Sequence, residues 1–204
     1  MERTWSVPDP KRVLENAEVR LEPTEARAHG PGLYQAASQE TNGEDLFVYS
    51  LGTGPFFGEG QFFSYLEAKL RHPGDKTYTV FSRRLGRIVG AVSLLNLRPD
   101  HGSVEIGSIW YTKAAQRTEV NTNTMFLLFS YIFDELAYRR LEWKCNNENE
   151  PSKRAALRLG FQFEGVFRQH FWDKGKNRDT AWFSIIDADW AAVKARFQTQ
   201  LLRT

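Results

Sequence analysis

The chain has 204 residues, 41% hydrophobic and 25% charged, with a net charge of +2. That length and composition suit one well-cored soluble domain and hardly two, and the near-neutral balance gives no footprint of a nucleic-acid partner. A lone cysteine, Cys145, excludes an intramolecular disulfide and a cysteine-based zinc site, and fits a reducing compartment.

Residues 1–16 read as an N-terminal extension, because Pro8 and Pro10 forbid regular structure and the charges are scattered. Trp5 either packs back on the domain or meets a partner chain. The start is polar and charged with no apolar segment of a leader peptide, so a cytoplasmic protein is expected. Residues 17–204 read as a single domain. Ala17–Leu21 alternates as a strand, and Pro23-Thr24-Glu25 opens a helix that His29-Gly30-Pro31-Gly32 is expected to break. Residues 39–60 form a Gly-rich connection carrying Phe47, Tyr49, Phe56 and Phe57, which either contact substrate or cap the core. Gln61–Arg71 follows as an amphipathic helix.

Lys76–Ser82 and Arg87–Leu97 read as strands joined by a turn, and Gly90 inside the second marks a bulge or a close backbone approach. Arg98–Gly102 turns the chain into the strand Ser103–Tyr111. A helix after Gln116-Arg117-Thr118 runs to about Ala137. Its segment Met125–Phe133 is apolar nearly all round, yet falls short of the roughly 20 residues of a membrane span. Arg140–Cys145 is a short strand. Glu150–Leu159 is a helix with Asn149 as N-cap, Pro151 in its first turn and Gly160 ending it. Phe161–Arg168 and Thr180–Ile186 are strands around a charged hairpin turn at Asp173–Asn177. Asp187 or Asp189 caps a last helix. Hairpin-joined strands followed by a βαβαβ portion imply an α/β (α+β) fold, with a mixed, mostly antiparallel sheet and helices on both faces.

The strand-to-helix junction Val104–Thr124 offers unpaired N–H groups and the positive end of a helix dipole, a ready site for phosphate. Taken together, the strand Val104–Tyr111, the junction Gln116–Asn121 and the segment Asn149–Phe161 resemble the GNAT acetyltransferase superfamily, and within it the branch of ribosomal-protein alanine acetyltransferases (RimJ/RimL type). The resemblance covers roughly residues 17–188. Its most specific part is Asn149-x-x-Ser152 followed by Leu159-Gly160-Phe161, supported by Arg87–Gly90 and Glu105-Ile106-Gly107.

That resemblance implies acetyl-CoA as co-substrate, a primary amine as acceptor (a small molecule or a protein N-terminus), and direct attack of the amine on the thioester, with no metal. Gln116, Arg117, Thr118, Glu119, Val120 and Asn121 would hold the pyrophosphate. Ile109, Trp110 and Tyr111 would polarise the thioester through a backbone N–H. Glu105 would act as general base, with His170 and Asp173 as lesser candidates. Asn149 would bind the pantetheine arm and Ser152 would serve the departing sulfur. Asn149 and Ser152 are equally explained by helix capping, and Glu105 by hydrogen bonding within the sheet. Lys153, Arg154 and Arg158 either meet the cofactor's 3′-phosphate or form a solvated basic face. Cys145 reads as a buried small hydrophobe.

Two departures stand out. The family's turn reads Gln/Arg-x-x-Gly-x-Gly/Ala, whereas Glu119 and Asn121 occupy the small-residue positions here. The tyrosine that many members place seven residues after the Asn is Ala156. Both motivate an alternative, a GNAT-fold protein that binds acyl-CoA or a partner with little catalysis. A monomer or homodimer is expected, with no nucleic-acid or membrane partner.

Overall fold

The computed structural model describes residues 4–39 and 44–202. It is built on one eight-stranded sheet. The strands are β1 (Leu14–Glu15), β2 (Val19–Pro23), β3 (Lys76–Ser82), β4 (Arg87–Arg98), β5 (Ser103–Tyr111), β6 (Arg140–Asn146), β7 (Gln162–Asp173) and β8 (Lys176–Ile186). Their order across the sheet is β1-β2-β3-β4-β5-β6-β8-β7, and every pairing is antiparallel except β5 with β6. The helices are α1 (Ala26–Ser38), α2 (Glu44–Phe47), α3 (Glu59–Leu70), α4 (Glu119–Ser130), α5 (Glu150–Leu159) and α6 (Asp187–Leu201).

Strand alternation divides the side chains between two cores. On one face Val80, Val92, Ile106, Leu141, Trp143 and Phe183 pack against Met125, Leu128 and Phe129 of α4 and against α5 and α6. On the other, Ala91 and Trp110 meet Leu33 of α1, Phe62 and Leu66 of α3, and Phe47. This second core is smaller and rich in aromatics. Phe47 and Phe56 belong to it, whereas Phe57 is 83% exposed. It covers only the β4–β5 part of its face. Beyond it, β6 and β8 present Glu142, Lys144, Trp182 and Ser184, the side chains that alternate with their core residues.

The expected break at His29–Gly32 does not occur, and α1 runs through Pro31. Its glycines are there for packing. A Cβ on Gly30 would lie 2.6 Å from the Phe63 ring, and one on Gly32 2.6 Å from Ile88 Cδ1. Burial of Leu33, Ala36 and Ala37 outweighs the one missing helical donor. The helix expected to reach Ala137 is α-helical only to Ser130 and widens into a π turn over Tyr131–Glu135. The last hairpin is longer than the sequence suggests. β7 passes Arg168 with a register shift between Phe167 and Phe171, where Gln169 has φ 50° and interrupts the alternation. Lys174 and Gly175, both at positive φ, close it as a two-residue turn.

Residues 4–16 lie along the domain, and Trp5 packs on the domain itself. Its indole N–H donates to Ala137 O at 2.6 Å, and its ring fills the space over Gly102. Arg12 grips both Glu135 carboxylate oxygens at 2.8 Å, and Leu14 is buried.

Two irregularities in β5 prepare the site. The β4–β5 register slips between Ala91 and Ser93, and Ser108 takes φ 49°. This bulge adds one residue to β5, so Glu105 and Gly107 share a face with Trp110 rather than with Ile109. In addition, the β5–β6 ladder runs only from Ser103/Arg140 to Ile106/Trp143. Past it the two strands part and leave a fork. Gly90 sits against the bulged strand so closely that a Cβ there would lie 2.0 Å from Trp110 O. Gly90→Ala is expected to destabilise the fold by about 2 to 3 kcal/mol, as forced overpacking does, and to lower the midpoint of a thermal melt by several degrees.

Candidate active site

The fork opens between the free halves of β5 and β6. Thr112 N–H donates to Val89 O at 2.8 Å, which turns Thr112 toward β4. By alternation Trp110 does the same, so the backbone of Ile109 and Tyr111 faces the fork. Tyr111 O is held by the Gln116 carboxamide at 2.9 Å.

Glu105 stands just before the fork, buried on the face of the aromatic core. Its Oε2 accepts from Asn96 Nδ2 at 2.6 Å and from Lys144 Nζ at 2.8 Å. Its Oε1 lies over Gly107, 3.5 Å from where a side chain would begin, and Gly107 has none. One oxygen is therefore fixed and the other left open. Lys144 also pairs with Glu142 at 3.3 Å and lies 3.9 Å above the Trp182 ring. The set continues through Arg140, which bonds Glu142 and grips Glu164. Arg140 holds the Glu164 carboxyl down at about 2. Lys69 of α3 reaches the bulge, with Nζ donating to Ser108 Oγ at 2.9 Å. Burial lowers its pKa, opposed by Asp75 and Glu105.

Ser152 lies on the opposite face of the sheet. Asn149 caps α5, its Oδ1 accepting from Ser152 N–H at 3.1 Å. Ser152 Oγ accepts from the Trp143 indole at 3.0 Å, a bond that does not use its own proton. Cys145 is buried beside it; burial pushes its thiol pKa up, and Ser152 partly offsets this. A neutral buried thiol is the small hydrophobe the sequence suggests. Ala156, at the tyrosine position, is fully buried in the core.

At the far end of the fork the turn Lys113–Thr118 leads into α4. Gln116 N–H bonds Thr112 O, and Val120 N–H is capped by Thr118 Oγ1 at 3.3 Å, so neither is open to a ligand. The N–H groups of Arg117, Thr118, Glu119 and Asn121 are not engaged by the turn's own backbone bonds. Arg117 holds φ 60°, which gathers successive N–H groups into a concave cradle. Thr112 Oγ1 is buried nearby with no partner among the described residues. Arg158 Nη1 reaches Thr122 Oγ1 at 3.2 Å and brings a guanidinium to the first turn of α4. Lys153, by contrast, is paired with Glu150. These donors fit a pyrophosphate. Glu119 is the discordant group, a half-buried carboxylate at the first position of α4 with no ion pair among the described residues.

Lys144, Asn96 and Lys69 were not singled out by sequence. Lys144 had a visible signal, since Arg140, Glu142 and Lys144 alternate along one strand and so mark a polar face. Asn96 and Lys69 had none, because Asn96 reaches the site from an irregular stretch of β4 and Lys69 from the helix α3 that covers the bulge. The lesser base candidates lie farther along: Asp173 Oδ1 accepts from Gly52 N–H at 3.3 Å, and His170 sits on β7. Among the described residues no group of three or more His, Cys, Asp or Glu side chains is placed to hold a metal, and no helix is long and apolar enough to cross a membrane.

Residues 20–162 match the acetyltransferase (GNAT) domain family. The fold is similar to a crystal structure of a GCN5-related N-acetyltransferase from Brucella melitensis, 39% identical, covering 97% of this chain and 88% of that one with a TM-score of 0.92. It is also similar to a probable GNAT-family acetyltransferase from Chromobacterium violaceum, 32% identical, covering 93% and 92% of the two chains with a TM-score of 0.85. The Bacillus subtilis protein named "Putative ribosomal N-acetyltransferase YdaF" is 29% identical over 109 residues, 53% of this chain and 59% of its own length. The match thus spans little more than half of that relative.

Glu119→Gln removes the discordant charge and keeps the N–H. It is expected to tighten coenzyme A binding by about 2- to 5-fold at low salt, with the gain shrinking as salt is added, as calorimetry would read. No change would show that the carboxylate points away from the cradle.

Proposed function

The chain belongs to the acetyltransferase (GNAT) family, and on that premise we propose that it transfers an acetyl group from acetyl-CoA to a primary amine. The observation that carries this reading is the half-fixed Glu105: its Oε2 is pinned by Lys144 and Asn96 while its Oε1 is left open beside the fork.

Acetyl-CoA supplies the activated acyl group. The cradle at Arg117–Asn121, with Arg158 beside it, holds its pyrophosphate, and Asn149 meets the pantetheine arm as well as capping α5. The fork admits the thioester between the strands. The backbone N–H groups of Ile109 and Tyr111 then face its carbonyl oxygen and stabilise the charge that develops there. Trp110 walls the acceptor side. Glu105 Oε1 takes a proton from the acceptor ammonium, directly or through water, so that the neutral amine attacks the carbonyl carbon. A C–N bond forms, the C–S bond breaks, the second amine proton passes to the departing thiolate, and Ser152 Oγ–H donates a hydrogen bond to that sulfur. Acceptor and sulfur are thereby served from opposite faces of the sheet. A neutral, buried Cys145 argues against a covalent enzyme intermediate. The likeness to YdaF, named as a ribosomal N-acetyltransferase, supports an acceptor amine on a ribosomal component.

A second reading, a protein that binds acyl-CoA with little turnover, is favoured by Glu119 and Asn121 at the cradle. Calorimetry with acetyl-CoA, paired with thiol release over a panel of amines, separates the two. Binding without release supports the second reading, and absence of binding removes both. For the first, Ser152→Ala is expected to lower kcat about 10-fold or more with little change in the KM for acetyl-CoA. Glu105→Gln is expected to lower kcat about 100-fold in steady-state kinetics. Unchanged kcat in either variant would remove the role assigned to that residue.

A further inference from the structure

Four polar atoms on the last hairpin are buried and have no partner among the described residues: His170 Nδ1 on β7, and Arg178 Nε, Thr180 Oγ1 and Trp182 Nε1 on β8. They are contiguous. The Arg178 guanidinium lies 5.7 Å from the Phe171 ring centre, and His170 packs on Phe171 at 4.0 Å and faces Trp182 at 6.3 Å. Trp182 lies under Lys144 Nζ, which bonds Glu105. Arg178, Thr180 and Trp182 alternate along β8 on one face, the face that Glu105 occupies on β5. An unbroken row therefore leads from the hairpin to the open carboxylate oxygen.

The far end of this row is bounded. Lys174 Nζ donates to Phe47 O at 3.0 Å and to Val48 O at 3.3 Å, and Gly52 N–H to Asp173 Oδ1, so the hairpin tip is tied to the segment after α2. Arg178 is the decisive member. Lys144 is saturated by two glutamates, whereas Arg178 is half-buried and its side chain has no hydrogen bond or ion pair among the described residues. Asp173 is near enough to offset part of the effect of burial on it, but its Oδ1 is turned to Gly52. Buried donors without partners are uncommon in a folded protein, and a run of them around an unpaired guanidinium is the complement of an anion's oxygens.

Resting on the acetyltransfer reading, we propose that the acceptor amine carries an anionic group, a carboxylate or a phosphate, which Arg178 and Thr180 bind while the amine lies at Glu105 and Trp182 lines the way between. Arg178 and Trp182 stand four positions apart along β8, about 13 Å of strand. The anion is therefore remote from the amine, and the acceptor is elongated rather than a compact amino acid.

Two matched pairs test this: trialanine against its C-terminal amide, and 6-aminohexyl phosphate against hexylamine. Each is titrated calorimetrically into the full-length protein with coenzyme A present, and assayed separately for thiol release from acetyl-CoA. The anionic member of at least one pair is expected to bind about 10-fold more tightly, and Arg178→Gln to shrink that preference below about twofold, with Arg178→Lys intermediate. The pair that shows the preference tells carboxylate from phosphate. Equal binding within both pairs, or a preference that survives Arg178→Gln, overturns the proposal. Anion preference without thiol release from any amine leaves the anion site standing and removes the acetyltransfer reading; release without preference does the reverse.

Discussion

The site depends on one extra residue in β5. The bulge at Ser108 reverses which side chains face which core, so that Glu105 and Trp110 end on the same side of the sheet although five positions separate them. A regular strand would have turned Trp110 into the large core and Ile109 toward the aromatic one. The same bulge precedes the point where β5 leaves β6. A sheet normally hides its backbone donors in ladders, and here a stretch of central strand is stripped of its neighbour on one side. Gly90 makes this possible, since only a residue without a side chain can accept the Trp110 carbonyl so close.

Around that opening the protein gathers more charge than a buried surface usually tolerates. Glu105, Lys144, Glu142, Arg140 and Glu164 form a line across four strands, each cation set between two carboxylates. Charges taken out of water need partners at short range, and alternation along the line supplies them. The arrangement also fixes geometry. Lys144 is held by two carboxylates and an indole face, so Glu105 cannot rotate without breaking several contacts together.

Much of the architecture was legible because the sequence states it locally. β3, β5 and α5 begin and end where alternation, the Asn149 cap and Gly160 say they should. What was not legible depended on contacts between distant residues. Gly30 and Gly32 look like breakers until Phe63 and Ile88 are seen filling the space they leave. Gln169 and Ser108 interrupt alternation without any turn residue to announce them. For the candidate site, Glu105 and Ser152 were singled out through family resemblance, but their different surroundings were not. Nothing in the sequence says that one Glu105 oxygen is doubly bonded and the other open, or that Ser152 accepts from an indole and retains its proton.

The docking of the N-terminal arm bears on how the chain comes to be made. Trp5 is bound to Ala137, 132 positions away, and Asp9 N–H to the Tyr131 hydroxyl, 122 positions away. During synthesis neither partner exists until more than 120 further residues have been added behind the arm. Until then the Trp5 ring has only the Pro99–Gly102 turn to rest on, and the outer rim of β2 has only two residues of β1 beside it. The Trp5–Leu14 arm is therefore among the last of the described segments to settle into place.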